Sequence, residues 1–364
     1  MRLRDDRIDC SLRLDLGGNR TPLQEPTVIE EALKLVESGR SLSMDLMSET
    51  MGRIMQGRCG EAEIARLLVA LHEKGETVSE VAGAAAAMRE RMTPIRSGHT
   101  GLIDTCGTGG DASHTFNIST TAALVTAAAG VPVAKHGNRG ITSRSGSADV
   151  LAALGVNIEA DVHRVEACLE ELGICFCFAP LLHGAMRHVG PVRKRLGHPT
   201  IFNVLGPLVN PAAAPFQLLG VGRAELQPLL AEALALLGTR RTLVVHGADG
   251  LDEVSLAGIT HVIEAARRKL RQFDWTPSDF GLPAAGRETM LVEGPEQSAE
   301  MIREILAGQP GPPRDIVVAN AAAALWTAGA EDSLPACVRR AAEAVDSGAA
   351  RDLLTRLAER SWAK

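Results

Sequence analysis

The chain of 364 residues contains no tyrosine, and aromatic residues make up only 3% of it. Platforms for stacking bases would have to be built from seven Phe and three Trp, and a formal charge of −6 supplies no general attraction toward phosphate backbones. A nucleic-acid partner is therefore not expected. Long apolar runs are also missing: no window reaches the roughly 18 consecutive apolar residues that cross a bilayer. The opening run Met1-Arg-Leu-Arg-Asp-Asp-Arg-Ile-Asp9 mixes both signs of charge and lacks the apolar stretch of an export signal. Neither a membrane partner nor export is expected. Cysteine is present but unpatterned. Cys10, Cys59, Cys106, Cys168, Cys175, Cys177 and Cys337 are odd in number and mostly set in apolar sequence, which suits reduced thiols in a cytoplasmic protein. Cys175 and Cys177 lack the two further ligands that a zinc site needs.

Hydrophobic residues at 45% and charged residues at 23% describe a globular chain, and its length suggests two domains at a soft prior of ~150 residues each. Residues 1–25 show no periodicity and read as an N-terminal extension. From 26 to 95 apolar residues recur at helical spacing, with Ile29, Leu33 and Val36 on one stripe and Ile64, Leu67, Leu68 and Leu71 on another, predicting a small bundle of about four helices. The character changes after Pro94–Thr100. Strands are expected at 102–106, 131–135, 174–178, 217–221 and 242–245, with helices at 119–129 and 147–154. Strands alternating with helices predict βαβ units and a mostly parallel sheet in a larger α/β domain spanning 101–364, closed by C-terminal helices. A segment near 190–200 is expected to join the small bundle, and Arg193–His198 reads as a basic, polar connection.

In such a sheet the loops at the carboxyl ends of the strands carry the ligands. Gly107-Thr-Gly-Gly-Asp111 follows the first strand, where glycines let backbone N–H groups approach an anion. It has no Lys-Ser or Lys-Thr at P-loop spacing, and its helix starts too late for a dinucleotide fingerprint. Asn117-Ile-Ser-Thr-Thr121 places an amide and hydroxyls at a helix N-terminus, where N-capping and anion binding are equally served. Lys135-His-Gly-Asn-Arg139, extended by Ser143-Arg-Ser-Gly-Ser147, concentrates cations and glycines at the end of the second strand and points to anion recognition. Asp252-Glu253, with Asp249 nearby, offers hard oxygens. Beside two phosphate loops they suit Mg2+, which takes one or two carboxylates and keeps waters and substrate phosphates. Arg187, Arg193, Lys194 and Arg195 could bind a carboxylate or form a solvated turn. No residue stands out as a covalent nucleophile.

Taken with Ser145-Gly-Ser-Ala-Asp149, Phe202-Asn-Val-Leu-Gly-Pro-Leu208 and Leu251-Asp-Glu-Val-Ser255, these runs resemble the anthranilate phosphoribosyltransferase family, in the same order from about residue 27 onward. The resemblance implies a helical domain joined to an α/β domain, a fold class shared with pyrimidine nucleoside phosphorylases, and a homodimer formed through the helical domain. The implied reaction transfers the phosphoribosyl group of phosphoribosyl pyrophosphate to the amine of anthranilate, releasing pyrophosphate, in tryptophan biosynthesis. Carried onto this sequence, Lys135, Asp111 and Asn138 form the catalytic set. Gly107, Thr108, Gly109, Gly110, Asp111, Thr115, Asn117, Ser119, Thr120, Lys135, Gly137, Arg139 and Ser147 would hold phosphoribosyl pyrophosphate. Ser119, Asp252 and Glu253 would hold Mg2+, Arg193 the anthranilate carboxylate, and His136, Asn138 and His183 the aromatic amine. Gly140 and Leu182 depart from the family pattern, which commonly has Ser and an aromatic residue there. Two rivals share the fold: a nucleoside phosphorylase, which would not need the Asp252-Glu253 pair, and a non-catalytic nucleic-acid-binding relative, which would need a basic face.

Overall fold

The computed structural model describes residues 27–110, 113–140 and 144–363, so the N-terminal extension and Asp111 lie outside the described residues. Four helices come first: α1 (Val28–Glu37), α2 (Met44–Met55), α3 (Glu61–Lys74) and α4 (Val78–Arg89). Each begins where the sequence supplies a cap. At α1 the Thr27 N–H donates to Glu30 Oε2 at 2.7 Å, and Glu30 N donates back to Thr27 Oγ1 at 3.4 Å.

The second unit runs β1 (Ile103–Gly107), α5 (Ile118–Ala128), β2 (Val133–Gly137), α6 (Ser147–Ala153), α7 (Val162–Leu172), β3 (Ile174–Phe178) and α8 (Ala179–Leu182). It continues through α9 (Gly190–Leu196), α10 (Phe202–Leu205), β4 (Phe216–Gly220), α11 (Leu226–Leu236), β5 (Arg241–Gly247), β6 (Thr260–Ala266) and β7 (Lys269–Trp275). Helices α12 (Pro295–Leu306), α13 (Pro312–Ala328), α14 (Leu334–Asp346) and α15 (Ala349–Trp362) close the chain. The sheet has seven strands in the order β3-β2-β1-β4-β5-β6-β7. Neighbours from β3 to β5 are parallel, and β5-β6-β7 are antiparallel. Among the described residues no helix is long and apolar enough to cross a membrane.

Side chains alternate across the sheet and so feed two cores. Leu218, Leu243 and Val245 face α5 and the C-terminal helices, while Leu219 and Val244 face α11 and the four-helix bundle. Val189, Val192, Ile201 and Leu205 join the bundle's core. Burying each such side chain contributes about 1.5–3 kcal/mol. This corrects the reading of Arg193–His198 as a polar connection. Residues 190–196 form a helix, ended by Gly197 in the left-handed conformation, whose apolar side packs on the bundle while Lys194 and Arg195 point outward.

The switch in strand order falls between β1 and β4, because the chain winds outward through β2 and β3 and then returns to the other side of β1. There β1 and β2 part, sharing a single register position, Ile103 with Val133. Side chains take over the ladder's work: Asp104 Oδ1 accepts from His136 N at 3.1 Å, Lys135 Nζ donates to Thr105 O at 2.5 Å, and Asn210 Nδ2 donates to Ala134 O at 2.8 Å.

Candidate active site

Two cavities open at the carboxyl ends of the strands and meet at His136 and Asn138, which line both. The first, about 290 Å3, is polar and lies among the loops after β1, β2 and β5. In the β1 loop Gly109 and Gly110 hold φ of +65° and +78°, which a side chain would strain, and turn the backbone toward the cavity. The loop is tied across the sheet: Thr108 N donates to Gly220 O at 2.9 Å, and Gly109 N donates to Asp252 Oδ2 at 3.0 Å. Gly220 lets the β5 loop approach, since a Cβ there would overlap the Asp252 carbonyl oxygen. Glu253 Oε1 accepts the Ser119 N–H at the start of α5 at 3.2 Å.

Lys135 reaches the cavity floor, 3% exposed, with Nζ also 3.4 Å from Ser119 Oγ. Burial pushes its pKa down, and the charges of Asp104, Cys106, Glu253 and Asp252 push it back up. Asp104, fully buried behind it, has its carboxyl pushed up by burial, with Asn210, Lys135 and the His136 amide opposing that shift. Asp149 caps α6 and holds the β2 loop at the same time, accepting from Gly140 N at 2.8 Å and Gly146 N at 3.1 Å.

The second cavity, about 500 Å3, is more apolar, walled by Met88, Met186, Phe202 and Val209. Arg193 is its inner cation, stacked 5.5 Å over the Phe202 ring and oriented by Asn203 Oδ1 at 3.2 Å, its pKa lowered by burial. His136 and His183 meet edge to face with their Nε2 atoms 3.1 Å apart. Burial, and then the neighbouring His183 and Lys135, hold His136 down at about 3, and burial holds His183 at about 4. Both rings are therefore neutral at ordinary pH.

Most residues expected at the site line one of these cavities: Gly107, Thr108, Gly109, Thr115, Asn117, Ser119, Lys135, Gly137, Arg139, Ser147, Asp252 and Glu253 the first, His183 and Arg193 the second. Thr120 does not. It follows Ser119 on α5, about 100° further round the helix, which turns it into the core at 1% exposure. Gly110 turns the loop without lining the cavity. The Asn117 side chain is engaged as a clamp, donating to Ser145 O and accepting from the Ser145 and Ser298 hydroxyls. Arg139 pairs with Asp149 at 3.1 Å at the rim. Leu182 is buried in the core rather than in either cavity. Met88, Met186, Ser145 and Phe202 line the cavities without being expected there, because apolar walls and loop serines carry no charge signal in sequence.

Asp252 and Glu253 face the loop amides across the first cavity, and among the described residues no group of three or more His, Cys, Asp or Glu could hold a metal. This donor set of two hard carboxylates fits Mg2+, which completes its shell with phosphate oxygens and water.

A helical bundle beside a mostly parallel sheet, with two cavities meeting at the carboxyl ends of its strands, is the architecture of a glycosyl transferase family. Residues 30–92 match the helical bundle domain of the glycosyl transferase family, and residues 99–351 match its a/b domain. Within that class the chain belongs to the anthranilate phosphoribosyltransferase family. It is 51% identical over 329 residues to the anthranilate phosphoribosyltransferase of Rhodopirellula baltica, covering 90% of this chain and 96% of that one. The crystal structure of the Thermus thermophilus enzyme superposes with a TM-score of 0.86 at 45% identity, over 91% of this chain and 99% of that one. The Saccharomyces cerevisiae enzyme in complex with PRPP and Mg superposes at 0.83 with 29% identity, over 93% and 98% of the two chains. The yeast enzyme has also been solved with 4-fluoroanthranilate.

Proposed function

We propose that this anthranilate phosphoribosyltransferase performs its transfer where the two cavities meet, with phosphoribosyl pyrophosphate in the first and anthranilate in the second. The observation that carries the assignment is the shared wall: a polar, cation-bearing cavity opens onto an apolar one at His136 and Asn138. The glycine-loop amides, the α5 N-terminus and Lys135 hold the pyrophosphate, and their fixed dipoles stabilise the charge that grows on it as the bond to ribose C1 breaks. Arg193 holds the anthranilate carboxylate, and the wall at His136, Asn138 and His183 aims the amine at C1, so that the new C1–N bond forms as the C1–O bond to pyrophosphate breaks and the amine's proton passes to the departing pyrophosphate or to solvent. The neutral imidazoles place no cation beside the positive charge developing on the ribose. Asp252, Glu253 and Ser119 would hold Mg2+, which when bound supplies neutralisation of the leaving pyrophosphate. Asp111 completes this reading as a further contact of the ribose and pyrophosphate. The free thiols of Cys59, Cys106, Cys168, Cys175, Cys177 and Cys337 suit the reducing cytoplasm as the place of reaction.

Asp252→Asn tests the metal assignment. The amide still accepts the Gly109 N–H but loses the charge, so turnover falls by about 10²-fold at limiting Mg2+ and recovers partly as Mg2+ is raised. A steady-state Mg2+ titration identical to that of the unmodified protein removes Asp252 from the metal site.

A further inference from the structure

At the opposite, amino-terminal ends of β1 and β4 lies a third cavity of about 430 Å3, between the end of α4 and the turn that leads from α11 to β5. Its walls are largely apolar, with Met92, Leu234 and Leu237 among them. Two cations line it. Arg89, the last residue of α4, donates Nε to Leu208 O at 2.7 Å and forms no ion pair among the described residues. Burial, with no carboxylate opposing it, holds its pKa below the usual value. Arg240, exposed, stacks 5.0 Å over the Phe216 ring. Three other polar side chains of the wall are already engaged. Gln217 Nε2 donates to Pro207 O at 2.6 Å and to Cys106 Sγ at 3.3 Å, Asn210 bonds Ala134 O at 2.8 Å, and Thr239 shares a hydroxyl contact with Thr242 at 2.8 Å. Asp104 closes the inner end: its Oδ1 accepts from the His136 amide on the active-site side, its Oδ2 is buried without a hydrogen-bond partner, and burial pushes the carboxyl's pKa up, toward the neutral acid.

A half-buried guanidinium without a counter-charge is unfavourable unless something anionic meets it. Apolar walls exclude a bare phosphate as the natural occupant and favour a ligand with an apolar body and one anionic end, which a guanidinium can grip with two hydrogen bonds. We propose that this cavity binds a small amphipathic carboxylate, its anionic end on Arg89 with Arg240 at the mouth, and its body against Met92, Leu234 and Leu237.

Methionine methyl NMR separates this site from the acceptor cavity, because Met92 lines only the third cavity and Met88 and Met186 line only the second. The probe is 3-phenylpropionate added to the full-length protein carrying 13C-methyl methionine, with 3-phenylpropionamide as the uncharged control. The expected result is a saturable shift of the Met92 methyl that weakens at least tenfold with the amide and with Arg89→Gln. The shift is expected to vanish in Leu237→Trp, which adds bulk to the apolar wall while keeping both arginines in the sequence. Unaltered Met88 and Met186 resonances identify a correctly folded variant, and either variant suffices if the other does not fold. A Met92 methyl that stays still while Met88 and Met186 move places the carboxylate in the acceptor cavity alone and overturns the proposal. So does an equal response to acid and amide, or a shift that survives the substitution.

Discussion

Lys135 shows how one residue serves both fold and site. Its ammonium occupies the gap where β1 and β2 part, bonding Thr105 O, and from there reaches Ser119 Oγ at the first cavity. Sequence could show that a cation ends the second strand, but not that it replaces a ladder bond. The histidine pair carries a pH prediction. Free histidine titrates near 6.5, whereas His136 and His183 are held at about 3 and about 4. Below about pH 6.5 the unfolded chain therefore binds protons that the folded chain refuses, so the stabilisation is fully present above that pH and is lost on acidification. The two sites together give a slope of at most roughly 2.7 kcal/mol per pH unit. Urea unfolding between pH 5 and pH 7 is expected to show stability rising with pH, and to show a flatter rise in the His136→Gln, His183→Gln double variant. An equal slope in both proteins contradicts the assignment. The charged and glycine residues that line the cavities were legible because Lys, Arg, Asp and Gly stand out in an apolar chain. Thr120 lines neither cavity because a single helical step separates Ser119, which faces the first cavity, from a residue that faces the core.

At the scale of elements, Glu80 organises the bundle. Fully buried, it accepts from Leu42 N at 2.9 Å, Thr77 N at 2.8 Å and Lys74 Nζ at 2.9 Å, joining the start of α4 to the end of α3 and the entry to α2. Glu80→Ala leaves a nearly buried ammonium without its carboxylate, though still bonded to Gly75 O, and two amides without partners, an expected loss of about 3–5 kcal/mol in a denaturant titration. A loss under 1 kcal/mol would show that the bundle does not depend on this junction. The parallel strands β1–β5 lie within a residue or two of the expected positions, because buried strands read as short apolar runs bounded by Gly and Pro. The hairpin β6–β7 went unread. Its turn residues are Arg267 and Arg268, both at positive φ, without the Gly or Asn that marks such a turn, and β7 is almost wholly exposed. Helix α9 was hidden for a related reason: three successive cations, Arg193–Arg195, mask the single apolar stripe of Val192 and Leu196.

For the molecule as a whole, the two cores share one sheet, and the second cavity draws its walls from Met88 of the bundle and from His183 and Arg193 of the segment after β3. Helical-bundle and a/b regions were separable in the sequence by their apolar periods, whereas the seam between them is made by distant residues and appears only in three dimensions. The homodimer implied by the family is a proposal for this chain; light scattering after gel filtration is expected to return twice the chain mass, and a monomer mass would exclude it. The central claim is that the two cavities hold the two reactants of one metal-assisted transfer. The direct measurement is anthranilate consumption by the purified protein with phosphoribosyl pyrophosphate, with and without Mg2+, while pyrophosphate release is followed. One pyrophosphate released for each anthranilate consumed, and only with Mg2+, is the predicted result. Bound phosphoribosyl pyrophosphate without anthranilate turnover would contradict it, leaving the first cavity with its ligand and the second with a different acceptor.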